Sequence, residues 1–391
     1  MSSTVWRAPG MPLLLTMTAL GFSGYAALLA VAPLWAVRGG ADAVGAGLVN
    51  GVLMLFTVLT QLVVPGALRR FGWAPVLVTG MLLLGLPALA HGASAALGPT
   101  LALSAVRGLG FGVLTVTGSA LVAELVEPRR RGQAIGAYGL AIAGPQVLFL
   151  SAGPLVAERL GFWVVFAVAA LPAVAAVPAV RLARMLDRVP PAGNERVPYA
   201  SLFPPMVLLV GVTLAGGALI TFMAQMSSSA VLTALALLLL SVVAALARWR
   251  VGSLSDRHGP RRYIAPLVLL TTAGMSVIAW AVRDPQSTVA PALLAGAAVV
   301  GISYGGLQNL TLVVTFQAVS RRHYGPASAV WNIGFDAGTG IGAVVVGMVA
   351  AGTSFSTALL VAGAISLLTL PLALARAGRP ARAGRPPGDA P

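Results

Sequence analysis

The chain contains no cysteine and no lysine, and only 10 of its 391 residues are acidic. Without cysteine there are no disulfides, no thiolate metal ligands and no thiol nucleophile. Without lysine no G-x-x-x-x-G-K-[ST] phosphate loop can be written, so nothing supports an ATP-driven pump. Charged residues make up 9% of the chain, against about 25% in a typical globular protein. So small a supply cannot cover a water-facing surface. His91, His258 and His323 stand far apart, and none forms a metal-ligand pair at helical spacing. The expected cofactor and metal content is none.

Hydrophobic residues instead reach 58%, with a mean hydropathy of +0.91. Twelve spans of about 20 residues need about 240 residues and leave room for short loops. Apolar stretches of that kind run at 11–37, 43–68, 74–90, 99–123, 132–157 and 160–180. A second set runs at 204–226, 230–247, 263–282, 289–318, 324–350 and 354–375. The first run is too long for a signal-peptide core and reads as a retained helix. The expectation is an all-α membrane protein with twelve transmembrane helices in two pseudo-symmetric six-helix bundles, residues 1–180 and 204–375. Residues 181–203, the longest polar stretch, read as a cytoplasmic linker. Residues 376–391, rich in Gly, Pro and Arg, read as a disordered cytoplasmic tail.

All 25 basic residues are arginine, and the net charge is +15. In a soluble chain that balance would point to nucleic acid. Here the arginines fall between apolar runs, which is how topology is set, and no nucleic-acid partner is expected. With the N-terminus inside, only Arg38, Arg159 and Arg283 lie outside and Arg107 lies within a span. Every other arginine, Arg248 and Arg250 included, then falls on the inner side. The positive-inside rule therefore places both termini in the cytoplasm and the chain in the cell membrane.

An internal repeat supports two halves. Arg131-Gly132-Gln133-Ala134 and Tyr324-Gly325-Pro326-Ala327 each open the fifth span of their half. The same offset aligns Gly108-Leu109-Gly110-Phe111-Gly112 with Gly301-Ile302-Ser303-Tyr304-Gly305. In secondary transporters such repeats rock around a site near the bilayer midplane.

The sharpest motif follows span eight: Gly252-Ser253-Leu254-Ser255-Asp256-Arg257-His258-Gly259-Pro260-Arg261-Arg262. It resembles the G-x-L-x-D-R-x-G-x-R-R loop of the major facilitator superfamily at every defined position. With twelve spans, two halves and a central linker, the resemblance covers nearly the whole chain. It implies that Gly252, Asp256, Arg257, Gly259, Arg261 and Arg262 form a conformational switch. Asp256 would sit at a helix N-terminus, where the macrodipole favours a carboxylate, facing Gly132 and the arginines at 129–131. A plain basic topogenic loop is the other reading. The matching first-half loop departs from the pattern, because Arg69 stands where the family usually has Asp; Glu124 is the candidate replacement partner.

Arg107-Gly108-Leu109-Gly110-Phe111-Gly112 resembles the family's R-x-x-x-G motif, found in proton-coupled members. At about 1.5 Å per residue from Pro99, Arg107 lies roughly 12 Å into the bilayer. An arginine there costs about 2.5–3.5 kcal/mol on insertion scales, so it should face a cavity or a partner. A structural pairing with backbone carbonyls is the alternative. Asp336, in Trp331-Asn332-Ile333-Gly334-Phe335-Asp336, is the one clearly embedded acid, roughly 14 Å from Ala327. A carboxyl group in low dielectric favours its neutral form, which suits a proton carrier. Asp336 and Arg107 are thus the proton-coupling candidates, with a bundle contact as the alternative role for Asp336. Ala143-Gly144-Pro145 partly resembles the G-P element of antiporters, and Gly144 and Pro145 are read as a helix bend; a generic kink is the alternative.

Other polar residues within spans are Asn50, Gln61, Gln146 and Gln317. The resemblance, in which helices one, four, seven and ten line the cavity, favours Tyr25, Gln225, Gln308 and Asn309 as lining residues, with Asn332 nearby. Such residues serve equally as helix–helix hydrogen bonds. A largely apolar cavity suits a hydrophobic or amphipathic small-molecule substrate. The expected activity is export of such a drug or secondary metabolite in exchange for protons, by one chain acting as a monomer in the lipid bilayer. The alternatives are proton-coupled uptake of a sugar or small metabolite and a membrane-embedded enzyme. Against the enzyme, Asp336 has no His or Cys near it in sequence.

Overall fold

The computed structural model describes residues 9–127, 131–186, 198–227, 229–284, 287–320 and 323–375. Among them there is no strand, and twelve helices are long and apolar enough to cross a membrane. We number these α1 (Met11–Arg38), α2 (Ala43–Phe71), α3 (Trp73–Ala93), α4 (Leu97–Val122), α5 (Gly136–Arg159) and α6 (Phe162–Ala183). The second half holds α7 (Tyr199–Met226), α8 (Ala230–His258), α9 (Arg261–Ala281), α10 (Ala290–Gln317), α11 (Tyr324–Gly352) and α12 (Phe355–Leu374). The chain is a multi-pass membrane protein.

The duplication shows in how the helices begin and end. The helices of α2 and α8 both run 29 residues. Asp42 caps the first by accepting from the Gly45 N–H at 2.9 Å, and Ser229 caps the second by accepting from the Leu232 N–H at 3.3 Å. Each stops at a glycine in the left-handed region, Gly72 at φ 80° and Gly259 at φ 81°. There the glycine N–H donates back to Leu68 O at 2.9 Å or to Ser255 O at 2.8 Å.

The two glycine runs do the same job in both halves. On α4, Gly108 lies on the Leu53 carbonyl of α2, and Gly112 leaves only 2.6 Å between an added Cβ and the Thr57 carbonyl. On α10, Gly301 lies on the Leu240 carbonyl of α8, which an added Cβ would meet at 2.8 Å, and Gly305 lies on that of Ala244. Without a hydrophobic force between helices in lipid, such backbone approach is what binds them. The halves meet through α2 against α11 and α5 against α8. α1 and α7 are the most enclosed helices, with 78% and 83% of their apolar windows buried, whereas α5 has only 28%. This places α1 and α7 at the centre, while α5, though it meets α8, is largely exposed.

Most helix limits fall within a few residues of the sequence reading, and α8 is the exception. Its helix does not stop at residue 247 but continues to His258. Gly252, Asp256 and Arg257 are therefore helical, and only Gly259 and Pro260 separate α8 from α9 at Arg261. Asp256 stands in the last turn of a helix, where the macrodipole disfavours a carboxylate, rather than at an N-terminus. Arg248 and Arg250 are correspondingly helical and not part of a loop. α7 likewise starts at Tyr199, not 204. Of the linker, residues 187–197 lie outside the described residues, as do the tail 376–391, residues 1–8 with Arg7, and Arg129 and Arg130.

Backbone approach carries a testable consequence. Gly305→Ala drives a methyl into the Ala244 carbonyl, and overpacking of this kind costs about 1–3 kcal/mol. Gly139, whose added Cβ meets nothing within 4 Å, is the control. Thermal unfolding in detergent should show a lower midpoint for Gly305→Ala and no loss for Gly139→Ala.

Candidate functional site

The interface between the halves carries two hydrogen bonds between described residues. The first begins with a proline. Pro33 has no N–H to give to the Leu29 carbonyl, so α1 breaks at Ala30. Asn50 of α2 fills the gap, its Nδ2 donating to Leu29 O at 2.8 Å and also to Thr221 Oγ1 of α7 at 2.9 Å. Around this bond the helices cross on small residues: Gly47 on the Ala343 carbonyl, Gly51 beside Val344, and Gly347 on the Ala43 carbonyl, which a Cβ added there would meet at 2.5 Å. All of these lie toward the end that carries few arginines.

The second bond lies deeper. Gln61 Nε2 of α2 donates to Asp336 Oδ2 of α11 at 2.5 Å. The same nitrogen reaches Thr115 Oγ1 of α4 at 3.0 Å. Gln61 and Asp336 are each 2% exposed, and Gln61 Oε1 has no partner. Asp336 thus joins the halves through a carboxyl group with no cation against it. Asn332 lies one turn earlier on α11, half-buried, with its amide donating to Ser328 O at 3.0 Å.

Arg107 is held differently. It is 1% exposed, and its Nη2 donates to Gly24 O of α1 at 2.9 Å while Nε donates to Leu84 O of α3 at 3.3 Å. Both acceptors belong to the first half, so Arg107 ties α1, α3 and α4 together and does not pair with Asp336. Between the two charges stands Tyr25, within electrostatic range of both. Its ring stacks on Phe111 at 3.8 Å and 3°, and Phe22 meets both rings edge-on.

On the second half, Tyr304 of α10 lies over Gly216 of α7 and 6.3 Å from the Phe335 ring. Gln308, one turn on, is 3% exposed and its Nε2 is unpartnered. Asn309 abuts Gly252, which places that signature glycine against α10. Gln225 does not join this group. It stands one residue from the end of α7 at the arginine-poor end, Nε2 unpartnered. Gly144 and Pro145 close the first part of α5, after which residues Gln146–Leu150 wind as a π-helix. A proline that cannot donate is one cause of such a change. The side chain of Asp256 and those of Arg131, Gly132 and Gln133 lie outside what is described, and Glu124 is exposed.

Sequence reasoning named Gln61 and Asn50 only as polar residues. Their partners are 275 and 171 residues away, and nothing local marks such pairings. Arg248 was missed as an embedded residue altogether, though the absence of Gly or Pro between 230 and 251 was a signal that the helix continues.

The sequence matches the Major Facilitator Superfamily over residues 13–223 and 205–391. No curated protein sequence matches it. Among solved structures it is similar to a bacterial homolog of the human lysosomal transporter Spinster, inward-facing and unoccupied. That pair has a TM-score of 0.77 and 15% identity over 96% of this chain and 97% of the other. It is also similar to the nucleoside transporter NupG, with a TM-score of 0.72 and 14% identity over 94% and 99%. An auto-inhibited POT family peptide transporter gives 0.73 and 11% identity over 96% and 98%.

Asn50 supplies the prediction here. Asn50→Leu strands the Leu29 carbonyl, which costs about 1–3 kcal/mol. Thr221 keeps its own bond to Gly217 O, so Thr221→Val should cost less. The two effects should add to less than their sum in the double variant, as read from unfolding midpoints in detergent.

Proposed function

The chain belongs to the Major Facilitator Superfamily, and on that footing we propose that it exports a hydrophobic or amphipathic small molecule, a drug or secondary metabolite, in exchange for protons. The Gln61–Asp336 bond carries this reading. An ionised carboxylate buried without a cation is costly. Protonated, Asp336 offers a hydrogen to Gln61 Oε1, the acceptor left unpartnered beside it. The acid–amide pair is then satisfied in both directions. Proton loss leaves a bare charge facing that oxygen, and the halves part.

We take the membrane to be the cell membrane, across which the positive-inside rule makes the arginine-rich end cytoplasmic. The arrangement closed at the arginine-poor end is then the one that takes substrate from inside. A proton arriving from outside restores this arrangement, and its release inside, with substrate bound, drives the swing outward. Residues 1–180 and 204–375 are the bodies that rock, and one chain holds the whole site. Arg107 keeps the first body rigid while this happens.

The test is substrate-linked proton flux in proteoliposomes against a panel of hydrophobic and amphipathic compounds, with wild type beside Asp336→Asn. Flux opposed to substrate movement in wild type, abolished in Asp336→Asn, is the expected result. Undiminished coupling in the variant removes Asp336 from the mechanism, and protons moving with the substrate make the protein a symporter. Arg107→Met should behave in another way. It removes both hydrogen bonds that hold α1 and α3 to α4 and lowers the unfolding midpoint by an amount equivalent to about 1–3 kcal/mol, while the protein that folds keeps proton coupling.

A further inference from the structure

Arg248 is the embedded charge that the proton cycle does not use. It sits on α8 ten residues before the helix ends at His258, too deep to belong to a surface loop. Its neighbours one turn either way fix its direction. Ala244 gives its carbonyl to the close approach of Gly305, and Gly252 abuts the Asn309 amide. Both contacts are with α10, so the stripe carrying Arg248 faces α10 and not the lipid. There Arg248 lies within electrostatic range of Tyr304. Its side chain is exposed although the stripe that carries it faces α10. That combination belongs to a residue lining an internal space.

Arg107 and Arg248 make a useful contrast. Arg107 donates to two carbonyls and is sealed. Arg248 makes no hydrogen bond or ion pair among the described residues. Beside it, Gln308 Nε2 is a buried donor that meets no acceptor at hydrogen-bond geometry, one turn from Tyr304 on the same face of α10 and within electrostatic reach of its hydroxyl. An arginine inside a membrane protein faces a cavity and marks a substrate or ion path. Three donors, the Arg248 guanidinium, the Tyr304 hydroxyl and the Gln308 amide, match the lone pairs of a carboxylate, for which a guanidinium fork is well shaped. Apolar surface adjoins them: Phe335 lies 6.3 Å from Tyr304 and 5.7 Å from Trp331.

We infer that Arg248, Tyr304 and Gln308 form a subsite on the second half for the carboxylate head of an amphipathic acid, whose aromatic or aliphatic tail lies against Phe335 and Trp331. The inference rests on the transporter reading in one respect, that the space between the halves is where substrate binds. It narrows the substrate class from any amphiphile to an organic acid.

Three probes with one tail separate head from body: 4-phenylbutyrate, 4-phenylbutanamide and 4-phenylbutylamine. Each is titrated against the purified full chain in detergent, with tryptophan fluorescence and the unfolding midpoint as readouts. Wild type should bind the carboxylate at least about tenfold more tightly than the amide or the amine. Arg248→Gln should lose that preference, Arg248→Lys should keep part of it, and Gln308→Leu should weaken the carboxylate alone. Equal binding of the three heads, preference for the amine, no binding of the carboxylate, or a preference that survives in Arg248→Gln overturns the inference. If Arg248→Gln does not fold, Arg248→Lys and Gln308→Leu decide the matter. Binding is measured without a proton gradient, so the outcomes stay separable. Carboxylate preference without proton-coupled flux sinks the exchange reading alone, and flux of neutral or cationic compounds without carboxylate preference sinks the subsite alone.

Discussion

A helix that faces hydrocarbon must satisfy every polar group from within the protein, because no water stands ready to do it. The fold can be followed from that constraint. Pro33 frees one carbonyl, and the repair at Leu29 recruits Asn50, which in reaching it also meets Thr221 on the other half. A local defect in α1 thereby becomes a contact between bundles. Arg107 answers the same demand for a charge, drawing α1 and α3 onto α4 through two carbonyls. Trp35 answers it at the end of α3, donating to the carbonyls of His91 and Ser94 at 3.0 and 3.1 Å.

The constraint also separates structural polarity from functional polarity. Arg107 and Asn50 both donate to backbone carbonyls of neighbouring helices. Asp336 is engaged with a single side chain on the opposite half, so its contact lasts only as long as the halves stay together. Arg248 and Gln308 have donors left over. Embedded groups that are satisfied hold the fold, and those with unfilled valences mark where something else binds.

Much of this architecture was legible in the sequence. Long apolar runs gave the spans, since a hydrocarbon core admits few charges. The glycine runs 108–112 and 301–305 marked the duplication, and in the structure each lies on the second helix of its half. The end of α8 was misread, because Arg248 and Arg250 carry the signature of a loop and outweighed the run without Gly or Pro. A 29-residue helix is longer than about 20 residues of hydrocarbon require, and hydropathy cannot tell an arginine beyond the bilayer from one facing an internal space. The Gln61–Asp336 pairing was hidden for another reason. It depends on how two bundles dock, and residues 275 apart share no local pattern.

The two halves, alike in backbone, differ in how their charges are placed. In the first half Arg107 is neutralised by carbonyl dipoles, and the face it underlies is the stacked pair Tyr25 and Phe111. In the second half the charges, Asp336 and Arg248, sit on different helices and are not paired with each other. A carboxyl group on α11 and a guanidinium on α8 would neutralise one another if they met, and a neutral pair could neither carry a proton nor hold an anion. Their separation keeps both available. Duplication supplied two copies of one scaffold, and in the cycle proposed above the divergence between them leaves the half that holds Asp336 and Arg248 to respond to charge.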